Sequence, residues 1–253
     1  MISIFDFSYI NNFESISFFN LFIYSLALLS IGSFASTTIF RFSNNFSTQN
    51  ILFKRSACRN CNQKIKNLYL IPLFGYLIQG GKCFACKKSI SLFYPATEIL
   101  FLIYGLMVGF AYGFGLFNFF LLVIFFLFYT LFFLDLKFYY LPISLNVLLV
   151  LCGFVSNSFF NVFVSDIAIL FNLSSFTFAF YGFLIGYLSL WLINFIFKLI
   201  YKKDGIGGGD FILFGAIGSL FGPFSLSLIL FLVLFLVALF LFYLKKNTVT
   251  KFH

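Results

Sequence analysis

The sequence predicts an all-α polytopic membrane protein with about seven transmembrane helices and one long cysteine-bearing loop between them. Three observations carry that expectation. Hydrophobic residues make up 62% of the 253 and charged residues 9%, with a mean hydropathy of +1.07, a balance foreign to water-soluble domains. The apolar residues come in runs of roughly 20, enough to cross a hydrocarbon core of about 30 Å. The basic residues are clustered. Nine of the sixteen (Arg41, Lys54, Arg55, Arg59, Lys64, Lys66, Lys82, Lys87, Lys88) fall within residues 41 to 94, where no Asp or Glu occurs. By the positive-inside bias that loop is cytoplasmic. Nucleic-acid binding is the competing reading of a basic patch, but a loop set between membrane spans without a recognisable nucleic-acid fold argues for none. The 46 phenylalanines are spread evenly and read as lipid-facing bulk.

Residues 1 to 16 carry Asp6 and Glu14 and no Lys or Arg, so the N-terminus is expected outside. Lacking a basic n-region and a small-residue cleavage site, the first apolar run, Phe18 to Phe40, reads as a retained span. A second span runs from Pro95 to Gly115, with Glu98 near its start and Gly105, Gly109 and Gly113 four apart as a close-packing face. The third, Leu116 to Leu134, ends at Asp135 and Lys137. The fourth, Pro142 to Phe163, leads to an outer polar segment with Asp166 and Asn172. The fifth, Phe176 to Ile200, ends in Lys198, Lys202 and Lys203. A glycine-dense break, Asp204-Gly205-Ile206-Gly207-Gly208-Gly209-Asp210, precedes a short run, Phe211 to Phe221, interrupted by Gly215, Gly218, Gly222 and Pro223. A last span, Phe224 to Leu244, is followed by Lys245 and Lys246. Counted from an outer N-terminus, about seven crossings put every basic cluster inside.

Within the basic loop, Cys58-Arg59-Asn60-Cys61 and Cys83-Phe84-Ala85-Cys86 form two Cys-x-x-Cys knuckles with 21 residues between them. Four thiolates so spaced close a tetrahedral zinc site, which makes this a cytoplasmic zinc-ribbon-like loop with Cys58, Cys61, Cys83 and Cys86 as ligands. Disulfides and redox thiols are the alternatives, opposed by a reducing cytoplasm and by the lack of a βαβ pattern. Cys152, alone in a membrane run, reads as a packing residue.

Histidine occurs once, at His253, so mechanisms that need a histidine base or ligand are excluded and carboxylate chemistry remains. Asp135 and Asp210 are expected at the inner face; Asp6, Glu14 and Asp166 are expected at the other. Glu98 and Asp204 are the competing inner carboxylates. Two carboxyl groups brought together share one proton and titrate as a unit, the arrangement by which aspartic proteases direct water at a peptide carbonyl. Gly207, Gly208 and Gly209 would let a substrate strand approach that pair. Two plainer readings stand beside this one. Asp135 with Lys137, and Asp204 with Lys203, read equally as interfacial anchors, and a glycine break before an aspartate suits a broken transporter helix.

In this order the motifs resemble those of the type IV prepilin peptidases. The run Gly32-Ser33-Phe34 to a helix end at Arg41 is similar to the family's first-span signature. The loop from Cys58 to Cys86, with Ile71-Pro72-Leu73 and Gly81-Lys82-Cys83 inside it, then Tyr94-Pro95 and Glu98, looks like its cytoplasmic loop. Asp135 followed by Leu141-Pro142, and Gly207-Gly208-Gly209-Asp210 followed by Gly215-Ala216-Ile217-Gly218, look like its two catalytic motifs. The resemblance implies a membrane aspartic endopeptidase of the bacterial cytoplasmic (inner) membrane, with Asp135 and Asp210 as the catalytic pair. Its substrates would be type IV prepilins or type II secretion pseudopilins, cut after a glycine at the cytoplasmic face. Methylation of the new N-terminal amine, with S-adenosylmethionine as donor, would follow, and the four cysteines would be zinc ligands. The implied division is residues 1–94, the first helix and four-cysteine loop as the methyltransferase part, and residues 95–253, a helical bundle with the peptidase core. An ion-coupled transporter, or a structural zinc-ribbon subunit of a pilus or secretion machine, is the alternative. The chain departs from the family pattern at Ile143, where a second aspartate is common, at Ile212, where a lysine is, and at Ser36, where an asparagine is.

Overall fold

The computed structural model describes residues 17–43, 55–160 and 173–249. The expected outer segments at residues 1–16 and around Asp166 and Asn172 lie outside the described residues, as do Lys54, His253 and the side chains of Lys245 and Lys246. The described residues form helices α1 (Phe18–Ser43), α2 (Phe74–Ile78), α3 (Phe93–Tyr112), α4 (Leu116–Phe138), α5 (Ile143–Phe160), α6 (Ser175–Tyr201) and α7 (Gly208–Val249), with a 3-10 turn at Asn67–Leu70. Extended pairing among the described residues is confined to two isolated bridges, Ala57 with Lys64 and Lys82 with Ser89. Among the described residues six helices are long and apolar enough to cross a membrane, and the expected all-α membrane architecture forms.

The two runs expected after the glycine loop meet within α7 at Gly222, which leaves helical geometry (φ 77°, ψ 173°) just before Pro223, so that α7 is two helices end to end across a kink. Proline has no N–H for the Ser219 carbonyl, and the turn at Gly222 withdraws the next donor from Leu220. Asn157 of α5 supplies what is missing: its Nδ2 donates to the Ser219 carbonyl at 2.7 Å and to the Leu220 carbonyl at 2.9 Å. A break in lipid needs such a partner, because no water is at hand.

Two compact units make up the chain, Met1–Tyr140 and Leu141–His253. In the first, α1, α3 and α4 pack on one another. Phe101 is fully buried among the rings of Phe125, Phe126 and Tyr129. The Tyr24 hydroxyl donates to Asn118 Oδ1 at 3.0 Å, and Thr97 and Tyr129 share a hydrogen bond of 2.7 Å, tying helices where the hydrophobic effect gives little preference between helix and lipid. Of the glycines spaced four apart, Gly105 and Gly109 are packing positions, whereas Gly113 ends α3 with φ +85°.

In the second unit α7 lies against α5 and α6. A Cβ on Gly182 of α6 would run into the Gly218 carbonyl of α7, and one on Gly218 into the Gly182 carbonyl. We expect Gly182→Leu to separate these backbones and to cost about 1–3 kcal/mol or more. A lowered unfolding midpoint in detergent is the expected reading, and an unchanged midpoint would show the contact to be dispensable.

Candidate active site and metal centre

The two cysteine knuckles fold alike. In the first, Cys58 N–H donates to the Gln63 carbonyl at 2.9 Å, and Asn62 closes the turn with φ 55°. In the second, Cys83 N–H donates to the Lys88 carbonyl at 2.8 Å, and Lys87 closes it with φ 59°. Facing knuckles bring Cys58 Sγ to 3.9 Å from Cys86 Sγ and Cys61 Sγ to 4.0 Å from Cys83 Sγ. All four sulfurs lie within 4.8 Å of one another. A tetrahedral zinc with Zn–S of about 2.3 Å needs sulfur separations of about 3.8 Å, so the donor set fits a metal ion and the cysteines are free to hold one. The crowding shows in their titration. A backbone hydrogen bond from Lys88 leads in drawing Cys86 down to about 6. The Gln63 backbone pulls Cys61 the same way, but burial and the sulfurs of Cys58, Cys86 and Cys83 outweigh it and push Cys61 up to about 11. Four neighbouring thiols resist ionising together unless a cation joins them.

The metal knuckle is seated on the helix ends by its own residues. Arg59, between Cys58 and Cys61, stacks over the Phe40 ring of α1 with Cζ 3.1 Å from the centroid and lies 5.3 Å from the Tyr94 centroid of α3. Such cation–ring contacts contribute about 0.5–2 kcal/mol each. The loop between the knuckles is pinned as well. Leu73 adopts φ 60°, ψ −52°, and Phe74 N–H donates to the Pro72 carbonyl at 2.7 Å across it. That γ-turn, in the left-handed region for a bulky residue, costs about 1–3 kcal/mol. It turns the Leu73 N–H onto Oε2 of Glu98, at 2.7 Å. Glu98 is buried and also hydrogen-bonds Ser33. This competing inner carboxylate is thus committed to holding the loop.

Asp135 stands exposed in the last turn of α4. Its carbonyl accepts the Tyr139 N–H at 2.9 Å, and Tyr139 ends the helix in the left-handed conformation with φ 51°, ψ 39°. Lys137 turns to the ring faces of Phe93, Phe40 and Phe133. No ion pair between Lys137 and Asp135 occurs among the described residues.

Asp210, in the other unit, is half-buried in the first turn of α7. Gly207 N–H donates to its Oδ2 at 3.0 Å, and the Asp210 N–H donates back to the Gly207 carbonyl at 3.1 Å. This reciprocal cap satisfies donors that a helix start leaves open. The three glycines differ. A Cβ on Gly209 would stand 2.9 Å from Leu141 Cβ, one on Gly207 would stand 3.0 Å from Asp210 Oδ2, and one on Gly208 would meet nothing within 4 Å. Asn146, buried in α5, donates to the Gly209 carbonyl at 2.9 Å.

The glycine loop is clamped from α6. Asn194 Oδ1 accepts the N–H groups of Gly205 at 2.8 Å and Ile206 at 3.0 Å, while its Nδ2 donates to Asp204 Oδ1 at 3.2 Å. Lys198, one turn along α6, meets Asp204 Oδ2 at 3.0 Å. The ion-pair partner of Asp204 is thus Lys198, where the sequence suggested Lys203. The Lys198 ammonium, then the Asn194 amide, hold the Asp204 carboxyl below its ordinary range. A depressed carboxyl of this kind keeps the clamp closed above the usual aspartate value, and the clamp is lost as pH falls through the lowered one. Asn194→Ala removes both backbone contacts. At about 0.5–1.5 kcal/mol each, we expect amide exchange at Gly205 and Ile206 to accelerate about tenfold, and unchanged exchange would show that the loop holds itself.

Asn194 and Asn146 escaped the sequence reading. The signal that could have found them is an amide inside an apolar membrane run, which is costly there without a partner.

Two protein families match the chain: the Bacterial Peptidase A24 N-terminal domain over residues 16–112, and the Type IV leader peptidase family over residues 120–242. Among curated proteins, the chain is 35% identical over 182 residues to a prepilin leader peptidase/N-methyltransferase of Dichelobacter nodosus, covering 72% of this chain and 60% of that one. A protein of the same description from Legionella pneumophila is 34% identical over 200 residues, covering 78% and 66%. One from Vibrio cholerae is 32% identical over 207 residues, covering 80% and 78%. The match thus spans under two thirds of the first two relatives and more of the third. No solved structure matches.

Proposed function

We propose, from the premise that this chain belongs to the bacterial type IV leader peptidase family, that it is a membrane aspartic endopeptidase with Asp135 and Asp210 as its catalytic pair. The substrates are type IV prepilins or type II secretion pseudopilins, whose leaders it removes at the cytoplasmic face, and N-methylation of the new terminus follows. The observation that carries the reading is Asp210, fixed by Gly207 in the first turn of α7 within the family's matched region. The basic residues of the 41–94 loop, unaccompanied by acid, support the cytoplasmic orientation.

In this reading the two carboxyl groups share one proton. The ionised partner takes a proton from water as the oxygen attacks the scissile carbonyl, and the protonated partner donates to the carbonyl oxygen. Collapse of the tetrahedral adduct returns that proton to the departing nitrogen, breaks the C–N bond and leaves the pair sharing a proton again. The two titrate together, so neither is assigned the acid role. Gly208, with open space where a Cβ would be, is where a substrate strand can come close, flanked by Gly207 and Gly209, which shape the turn.

Zinc is the metal proposed for Cys58, Cys61, Cys83 and Cys86. With four protein thiolates it has no open position, so its role is to hold the loop together. Residues 1–94 form the proposed methyltransferase part and residues 95–253 the peptidase part. S-adenosylmethionine is the methyl donor this reading requires. The ring faces beside the cysteine loop, at Phe40, Phe93 and Tyr94, already receive Arg59 and Lys137 and do not fit a sulfonium.

Incubating the detergent-solubilised chain with a prepilin tests cleavage, read as a mobility shift. Adding methyl-labelled S-adenosylmethionine tests the second activity. Label is expected on the cleaved pilin, and cleavage without labelling would reject methyl transfer while leaving the peptidase intact.

A further inference from the structure

The segment between the cysteine knuckles presents apolar side chains where a water-exposed loop would not. Leu68 is 57% exposed, Leu70 40%, Phe74 55%, Leu77 69% and Ile78 57%. They lie within one short stretch, the 3-10 turn Asn67–Leu70 and helix α2, outside the six helices long enough to span. Exposed apolar groups this dense mark a contact surface.

The fold sets the depth of that stretch. Leu73 N–H meets Oε2 of Glu98 at 2.7 Å, and Glu98 is the sixth residue of α3, which begins at Phe93. At about 1.5 Å per residue, Glu98 lies about 7–8 Å along the helix from its start. An amphipathic element resting in a membrane interface buries its apolar face to about 5–10 Å. With the start of α3 taken as the bilayer surface, the tie between Leu73 and Glu98 falls at that depth.

The backbone is suited to that place. Gly75 N–H donates to the Ile71 carbonyl at 2.7 Å, Leu77 N–H to the Leu73 carbonyl at 3.0 Å, and Gly81 N–H to the Tyr76 carbonyl at 3.0 Å. Irregular backbone entering an apolar phase must satisfy its polar groups internally in this way. On the flanks stand Lys64 and Lys82, while Lys66 and Lys87 lie over the Phe84 ring and Lys88 donates to Asn60 Oδ1 at 2.8 Å, and residues 41–94 hold no Asp or Glu. Lysines beside an apolar face complement anionic headgroups.

We infer that residues 67–78 are an interfacial anchor, with Phe74, Leu77 and Ile78 inserted into the leaflet on the cysteine-loop side and the flanking lysines on anionic headgroups. Glu98 sets the depth through Leu73. The anchor holds the metal loop flat against the bilayer. This does not depend on the peptidase reading, since it concerns lipid contact alone.

The test uses the full chain in nanodiscs of phosphatidylglycerol and phosphatidylcholine. Trp191 is the chain's only tryptophan, so Trp191→Phe gives a dark background in which Leu77→Trp is the sole reporter. Its emission is expected to be blue-shifted and quenched about twofold by lipids brominated near the headgroup end of the acyl chain, with less quenching when phosphatidylglycerol is omitted. Ile78→Trp supplies the same reading at a second position, independent of whether Leu77→Trp folds. Water-like emission insensitive to brominated lipid at both positions would overturn the inference. So would a blue shift that appears only on raising the protein concentration or on adding a prepilin, which would assign the face to a second copy or to the substrate.

Discussion

Asp135→Asn and Asp210→Asn are each expected to reduce prepilin cleavage by on the order of 10³-fold, because each removes half of a shared-proton pair and proton transfer of this kind contributes about 10²–10⁴. The double variant should be little worse than either single one, since residues acting as a unit are not additive. Asparagine keeps an oxygen that can accept the Gly207 N–H now held by Asp210 at 3.0 Å, so the α7 cap should survive and the loss should be chemical. Asp204→Asn is the control. That carboxylate is engaged by Lys198 and Asn194, and its variant should retain cleavage within about tenfold, since it alters positioning and not the reacting groups. If both Asp135→Asn and Asp210→Asn cut as well as the parent, the mechanism is wrong.

Loss of the metal is the second large effect. Structural zinc held by cysteines contributes about 10–16 kcal/mol of apparent binding free energy near neutral pH, and that energy is folding energy for the loop that holds it. Purified chain should carry about one zinc, and Cys58→Ser or Cys86→Ser should carry almost none. Acid should act in the same direction. Cys61, pushed up to about 11 when its neighbours stand close, must release its proton to bind metal at neutral pH. Zinc affinity should therefore fall as pH falls, by about tenfold per unit for each proton released. Because Arg59 sits inside the first knuckle and stacks on Phe40, metal loss should also free it from α1, which faster amide exchange around residues 58–61 would report. Metal analysis finding no zinc, with four titratable thiols in the loop, would remove the proposal.

The spans were legible because a membrane helix announces itself locally, by unbroken apolar length. The expected Phe18 to Phe40, Phe176 to Ile200 and Leu116 to Leu134 correspond to Phe18–Ser43, Ser175–Tyr201 and Leu116–Phe138. The knuckles were legible for the same reason, since Cys-x-x-Cys encodes its own turn. Their meeting in space was an inference from chemistry that the sulfur separations bear out. The join at Gly222 was less legible. Glycine and proline there mark the break, which the structure keeps as a kink at Gly222, but nothing nearby in sequence shows that Asn157 satisfies the carbonyls they orphan.

Sequence alone determined the class of this protein, its membrane runs, its thiol cluster and the two carboxylates worth testing, because each is written in residue types at short spacing. Tertiary structure decided what the lone polar groups do: that Asp204 is clamped by Lys198 and Asn194, that Asn146 grips the Gly209 carbonyl, and that Glu98 holds Leu73 in its strained turn. A polar group in an apolar run must find a partner, so its existence can be foreseen from the chain. Which partner it finds depends on how helices cross, and no one-dimensional pattern records a crossing.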